Sequence, residues 1–190
     1  MIRTFLAFEL KDDDTIKNIQ NFLNRLQQNQ SKLKAVEPEN LHLTVKFLGN
    51  IAEEKAPEIY HLIKSEVNEK LFKSEDYKYQ LRGVGQFNKY SVIWVKLIGN
   101  IEFLQKVQDV TENLLFDHFK IEKEKRQEFK PHLTIARLKK DRINYKTFDG
   151  LKTLINQNKE LDFGTFNINQ LKFKKSDLTP KGPIYTDLAF

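Results

Sequence analysis

The sequence predicts a mixed α and β fold made of two similar lobes, and three observations carry that reading. Short apolar strands alternate with amphipathic helices along the whole chain. The order strand–helix–strand–helix–strand occurs twice. The tripeptide His-Leu-Thr, followed by a β-branched residue, falls on the middle strand of each unit, as "ENLHLTVKFLG" (39–49) and "KPHLTIARLKK" (130–140), with the two histidines ninety positions apart. Self-similarity at a fixed spacing is the mark of an internal duplication. We read one bilobal domain over residues 1–190, with repeats of roughly 1–88 and 89–190.

The first unit opens with Ile2–Leu10, rich in Phe, Leu and Ile, which reads as a strand. "KDDDT" then supplies an N-terminal cap and first-turn acids for a helix that carries Ile16, Ile19, Phe22, Leu23 and Leu26 at helical spacing. A loop with Pro38 spans Val36–Asn40, and a strand runs over Leu41–Leu48, closed by Gly49. Glu53–Lys70 reads as a helix and Tyr77–Phe87 as a strand whose Gly83 and Gly85 suggest a bulge. A tight turn at Asn88–Tyr90 joins the lobes. The second unit repeats the order: strand Ser91–Ile98, helix Phe103–Phe119, strand Phe129–Leu138, helix Tyr145–Asn156, strand Phe163–Lys174, and a last strand Pro183–Phe190.

Composition bounds the function. An apolar share of 39% against 31% charged residues suits a soluble globular protein. The absence of cysteine excludes disulfides, thiolate metal sites and thiol nucleophiles. No apolar run approaches the ~18 residues that span a bilayer. The amino-terminal "MIRTFLAFELKDDD" turns acidic too soon for a signal peptide. A cytoplasmic protein with no membrane partner is expected, working as a monomer. The net charge of +6 fits either a lysine-rich solvated surface or an anionic partner such as RNA, DNA or a nucleotide. Charge alone does not choose.

The repeated tripeptide does choose a chemistry. Side chains of a strand alternate between its faces. Leu41, Leu43, Val45 and Phe47 then share an apolar face, and His42, Thr44 and Lys46 the open one. Leu133 and Ile135 mirror the first set, and His132 and Thr134 the second. Each strand offers an imidazole and a hydroxyl about 7 Å apart. If the lobes pack about a pseudo-twofold, two imidazoles and two hydroxyls line one cleft. One imidazole can take a proton from water while the other gives one to a leaving oxygen, and the hydroxyls can hold phosphate oxygens. With the chain's Leu and Thr content, Leu-Thr would follow a given His by chance in ~0.6% of cases, yet it follows two of four. A purely structural duplication would more naturally preserve the apolar face than the solvated one. His61 and His118, on helices, read as surface residues. "RGVGQF" (82–87) lacks the pattern of a phosphate loop, and Asp12–Asp14 read as a helix cap, not a metal site. Lys46 shares the open face one step beyond Thr44 and is a candidate substrate contact. Phe87 and Tyr185 are candidate rings for stacking a nucleobase.

The paired His-x-Thr motif resembles the two-histidine phosphoesterase superfamily. "PENLHLTVKFLG", "FKPHLTIAR" and "KKSDLTPKGPIY" further resemble the RNA 2',3'-cyclic phosphodiesterases of bacteria and archaea, first described as 2'-5' RNA ligases. The resemblance runs from "IRTFLAFEL" to "LAF". It implies an α+β fold with two antiparallel sheets around a central cleft and helices outside. It implies hydrolysis of an RNA 2',3'-cyclic phosphate end, tRNA fragments included, to a 2'-phosphomonoester without metal or other cofactor. It makes His42 the general acid on the 3' oxygen and His132 the general base on water, with Thr44, Thr134 and Arg137 binding the phosphate. Strict alternation puts Arg137 on the face opposite His132, so its role requires a bulge or a strand end before it. Competing readings are a 2'-5' RNA ligase running the reverse reaction, a 2'-5' oligonucleotide phosphodiesterase, and a non-catalytic RNA-binding module. Paired histidines argue against the last, because RNA binding alone favours Arg, Lys and aromatics.

Overall fold

The computed structural model describes residues 1–73, 75–125, 129–180 and 182–190. Strand β1 (Ile2–Glu9) leads into helix α1 (Asp13–Asn29), capped by the Asp12 carboxylate accepting from the Thr15 amide at 2.8 Å. A two-residue strand β2 (Lys34–Ala35) and a 3₁₀ turn at Pro38–Asn40 precede β3 (His42–Ile51). Helix α2 (Ala56–Leu62) continues as a π-helical stretch, Ile63–Phe72. Strands β4 (Tyr77–Phe87) and β5 (Val92–Ile98) meet at the expected turn, where Asn88, Lys89 and Tyr90 all have positive φ. Then follow α3 (Ile101–Phe119), β6 (His132–Arg137), α4 (Phe148–Gln157), β7 (Asp162–Ile168), β8 (Lys172–Thr179) and β9 (Gly182–Asp187).

Some elements differ from the sequence reading. The segment Phe163–Lys174 is two strands, because the chain reverses after Ile168 so that β8 can join β1 instead of extending β7. The fourth helix starts at Phe148, since Asn144–Thr147 are occupied in a turn bonded to the end of α1. Strand β2 is too short to leave a periodic signal.

The strands run antiparallel in the order β7-β4-β5-β6-β3-β1-β8-β9, with β2 added beside β6, so the described residues form one open nine-stranded sheet. Its two halves touch through the pair Leu43–Leu133. The expected pair of sheets is therefore one sheet with a narrow waist. Sequence order and spatial order also interleave. Strand β4 pairs with β5 and β7, while β8 and β9 complete the half that holds β1 and β3.

Helices cover the outer face. Thr15 and Asn18 of α1 hydrogen-bond the backbone of Thr165 and Phe163 on β7. Asn68 makes a two-way bond with Leu171, at 3.1 and 2.8 Å, and ties the π-helical stretch to the start of β8. Between these layers lie Leu6, Phe8, Ile19, Leu26, Leu43, Leu81, Val95, Leu133 and Phe166, all buried. Each such side chain contributes about 1.5–3 kcal/mol by leaving water. Glycine is required at the β4 bulge. Gly83 has φ +88° and sits against the Lys159 carbonyl, and the Trp94 ring lies where a Gly85 side chain would be.

Candidate active site

The inner faces of the two half-sheets enclose a cleft of about 1070 Å³. His42, Thr44, His132, Thr134, Arg137 and Tyr185 all line it. The pairing of Leu43 with Leu133 explains why. In antiparallel register, it sets His42 opposite Thr134 and Thr44 opposite His132. The register thus aligns each histidine with the threonine of the other motif.

Both rings are held in the same way. His42 Nδ1 lies 2.6 Å from the Asn40 carbonyl, and His132 Nδ1 lies 2.7 Å from the Lys130 carbonyl. A carbonyl oxygen only accepts, so each Nδ1 carries a hydrogen and proton exchange falls to Nε2. The bonds are local, from residue i to i−2. Each ring is aimed by the residues that enter its strand: the Pro38–Asn40 turn in the first motif, and Lys130–Pro131 in the second.

The two surroundings differ. His42 packs against Phe5 and edge-on against Tyr185, with ring centroids 5.1 and 5.2 Å away. Burial there lowers the imidazole below its usual range; the Asn40 carbonyl and Glu9 oppose this, while Lys174 and Arg137 reinforce it. Lys174 is itself buried and hydrogen-bonds both Glu9 and Asp187. Burial pushes the Tyr185 phenol up, although the charges of Arg137 and Arg3 draw it back. His132 is flanked by Phe87 edge-on at 5.0 Å and by Trp94 at 6.1 Å.

A bulge in each motif accounts for the position of Arg137. Ala136 pairs with Ile93 and Thr134 with Trp94, so Ile135 is an extra residue in β6. Ile135 and Ala136 both turn inward, and Arg137 reaches the cleft. The first motif does the same. Lys46 pairs with Leu6 and Thr44 with Ala7, leaving Val45 as the extra residue. Val45 and Lys46 are both buried, and Phe47 emerges into the cleft, 56% exposed. Phe47 thus occupies in the first motif the position that Arg137 occupies in the second.

This corrects the two expectations that rested on strict alternation. Phe47 is not core. Lys46 is not a substrate contact: it is 3% exposed, its ammonium lies 3.0 Å from Glu112 and it donates to the Glu122 carbonyl at 2.7 Å. Glu112 also accepts from the Glu124 amide at 3.1 Å, so this cluster fixes the chain that follows α3 along the cleft rim. Phe87 does not line the cleft; it abuts the His132 ring edge-on. His61 and His118 are exposed and stand apart from the cleft. Sequence reasoning missed Phe47, Arg3, Phe5 and the backbone role of Asn40. The one signal available was the misfit of Arg137, which called for a bulge in both copies. Among the described residues, no cluster of three His, Asp or Glu side chains could hold a metal ion, and no helix is long and apolar enough to cross a membrane.

The family model described as the AKAP7 2'5' RNA ligase-like domain matches residues 4–186. The chain belongs to that family, within the two-histidine phosphoesterases. It is 36% identical over 191 residues to the RNA 2',3'-cyclic phosphodiesterase of Methanocaldococcus jannaschii, covering 97% of this chain and 96% of that one. It is 31% identical over 187 residues to the protein of the same name from Methanothermobacter thermautotrophicus, covering 98% and 96%. The fold matches a crystal structure from Thermus thermophilus with a TM-score of 0.73 at 23% identity, over 99% of this chain and 96% of that one. It also matches E. coli LigT complexed with 3'-AMP at 0.69 and 17% identity, over 99% and 95%.

Proposed function

We propose that this chain hydrolyses RNA 2',3'-cyclic phosphate ends to 2'-phosphomonoesters, as the names of its relatives suggest. The observation that supports it most is the pair of imidazoles in one cleft, each tethered through Nδ1 to its own strand entry and each aligned in register with the other motif's threonine. In this reading, His132 Nε2 takes a proton from the attacking water. The water oxygen bonds to phosphorus, the bond from phosphorus to the 3' oxygen breaks, and His42 Nε2 delivers its proton to that oxygen. Thr44, Thr134 and Arg137 hold the non-bridging oxygens, with Arg137 suited to a two-pronged contact. No step requires a metal. Phe47 offers the base an exposed ring within the cleft, as does Tyr185 at its wall.

A lowered pKa makes the His42 imidazolium a stronger donor and a rarer one near neutrality. Binding of the phosphodiester anion favours the charged ring again. Ligation to a 2'-5' bond uses the same groups in reverse, with a 5'-hydroxyl replacing water. We infer a cytoplasmic monomer that acts on RNA ends such as tRNA fragments. The test is incubation with a 2',3'-cyclic-phosphate oligonucleotide in the presence of EDTA, with identification of the product isomer. A 2'-phosphate is expected. Unaltered substrate, or a 3'-phosphate product, would refute the assignment. A 5'-hydroxyl acceptor added in excess measures the reverse reaction.

A further inference from the structure

The +6 charge of the chain is not spread evenly. Residues 130–146 hold six basic side chains against one acid, Asp141, so this stretch carries +5 of the total. Several lysines elsewhere are ion-paired: Lys46 with Glu112, Lys174 with Glu9 and Asp187, Lys70 with Glu66 and Lys152 with Asp149. Among the described residues, no ion pair reaches Lys139, Lys140 or Arg142. All three are exposed. They follow directly on Arg137, which lines the cleft at the end of β6. Arg142 and Lys32 then share a shallow polar depression of about 290 Å³, with Asp141 as its acid.

The same segment presents an aromatic ring to water. Tyr145 is 74% exposed and touches Phe148 only edge-on, with centroids 6.2 Å apart. The backbone beneath is fixed. The Arg142 amide donates to the Lys139 carbonyl at 2.9 Å, and the buried Gln30 side chain bonds both the amide and the carbonyl of Asn144 at 2.8 Å. Unpaired cations beside an exposed aromatic, on a rigid frame leading out of a nucleotide-sized cleft, are what single-stranded nucleic acid binds.

We propose that single-stranded RNA leaves the cleft past Arg137 and runs over this ridge. Lys139, Lys140 and Arg142 neutralise its phosphates, and Tyr145 stacks one base. The inference rests on the cyclic-phosphate reading and extends it: the preferred substrate is an oligonucleotide whose body, as well as its end, is bound. Asp141 weakens the field at one point of the ridge but leaves the net charge strongly positive.

The experiment compares a nucleoside 2',3'-cyclic monophosphate with a single-stranded oligoribonucleotide of about ten residues ending in the same cyclic phosphate. Both are assayed across a salt series, for the parent and for K139A/K140A/R142A. The parent should prefer the oligonucleotide, with kcat/KM falling steeply with salt. The triple variant should turn over the mononucleotide like the parent. Its salt slope on the oligonucleotide should be shallower by roughly 2, from about 0.7 per lost single-strand phosphate contact. Tyr145→Ala should lose about tenfold on the oligonucleotide alone. A parent without length preference, or a triple variant with the parent's slope, would overturn the ridge. Failure of the parent on both substrates would instead refute the catalytic reading.

Discussion

Leu43 of β3 lies directly opposite Leu133 of β6, and both side chains are fully buried. This pair joins the half-sheets and fixes which threonine aligns with which histidine. Truncating either leucine to alanine should cost about 2–5 kcal/mol of stability. The two losses should not add, because the residues share one contact. Denaturant titration of both single variants and the double variant measures the coupling. Additive losses would mean that the waist is held by something other than this pair.

Lys46 supplies a sharper stability test. Its ammonium and the Glu112 carboxylate are both out of water, so Lys46→Ala strands a buried negative charge and should destabilise by about 3–5 kcal/mol. Replacing both, as K46M/E112L, should recover most of that loss. A double variant as unstable as K46A would show that the cost lies in packing, not in charge.

Arg137 and Phe47 occupy equivalent bulged positions but offer different chemistry. Arg137→Ala should lower kcat about 10²–10³-fold, the usual effect of removing one donor to developing charge. Phe47→Ala should act mainly on KM, by about tenfold, through lost stacking. A kcat loss for Phe47→Ala as large as that for Arg137→Ala would contradict the division of roles.

The His42 environment sets a pH dependence. In the proposed mechanism His42 must be protonated to act, and burial holds its imidazole below the ordinary ~6.5. The alkaline limb of kcat/KM should therefore fall below that value. Lys174→Met removes a cation that disfavours the imidazolium, so the limb should move to higher pH. A limb that stays put in K174M would separate Lys174 from the acid.

Stability carries its own pH signature through Glu9. Burial alone would raise its carboxyl, but the hydrogen bond and charge of Lys174, with Lys11, bring it below the ordinary value. A depressed folded pKa gives stability that is present above the unfolded value of ~4.3 and lost as pH falls through the folded one. The melting temperature of Glu9→Gln should accordingly lose less than the parent's on acidification through that window. Parallel curves would refute the linkage.

Much of this was legible from periodicity. The strands and helices follow from apolar spacing, and His42, Thr44, His132 and Thr134 follow from alternation next to a buried Leu. Alternation then failed in both copies just past Val45 and Ile135, at Lys46 and Ala136, because a bulge is decided by the partner strand's register and not by local sequence. Lys46 misled for the same reason, since its anchors Glu112 and Glu122 are far away in the chain. The pairing of β4 with β7, and of β8 with β1, joins segments whose separation leaves no pattern in either.

The interleaved strand order has a consequence for biogenesis. The wall that carries His42 includes β8 and β9, and Asn40, whose carbonyl aims the His42 ring, also donates from its side chain to the Pro183 carbonyl at 3.3 Å. A ribosome must therefore deliver residues 172–187 before the first-made motif has a finished wall. Until then β1 presents an open edge that invites pairing with other chains. Folding dominated by such distant contacts is slow, and catalytic competence should arrive only with the last strands, not with the first lobe.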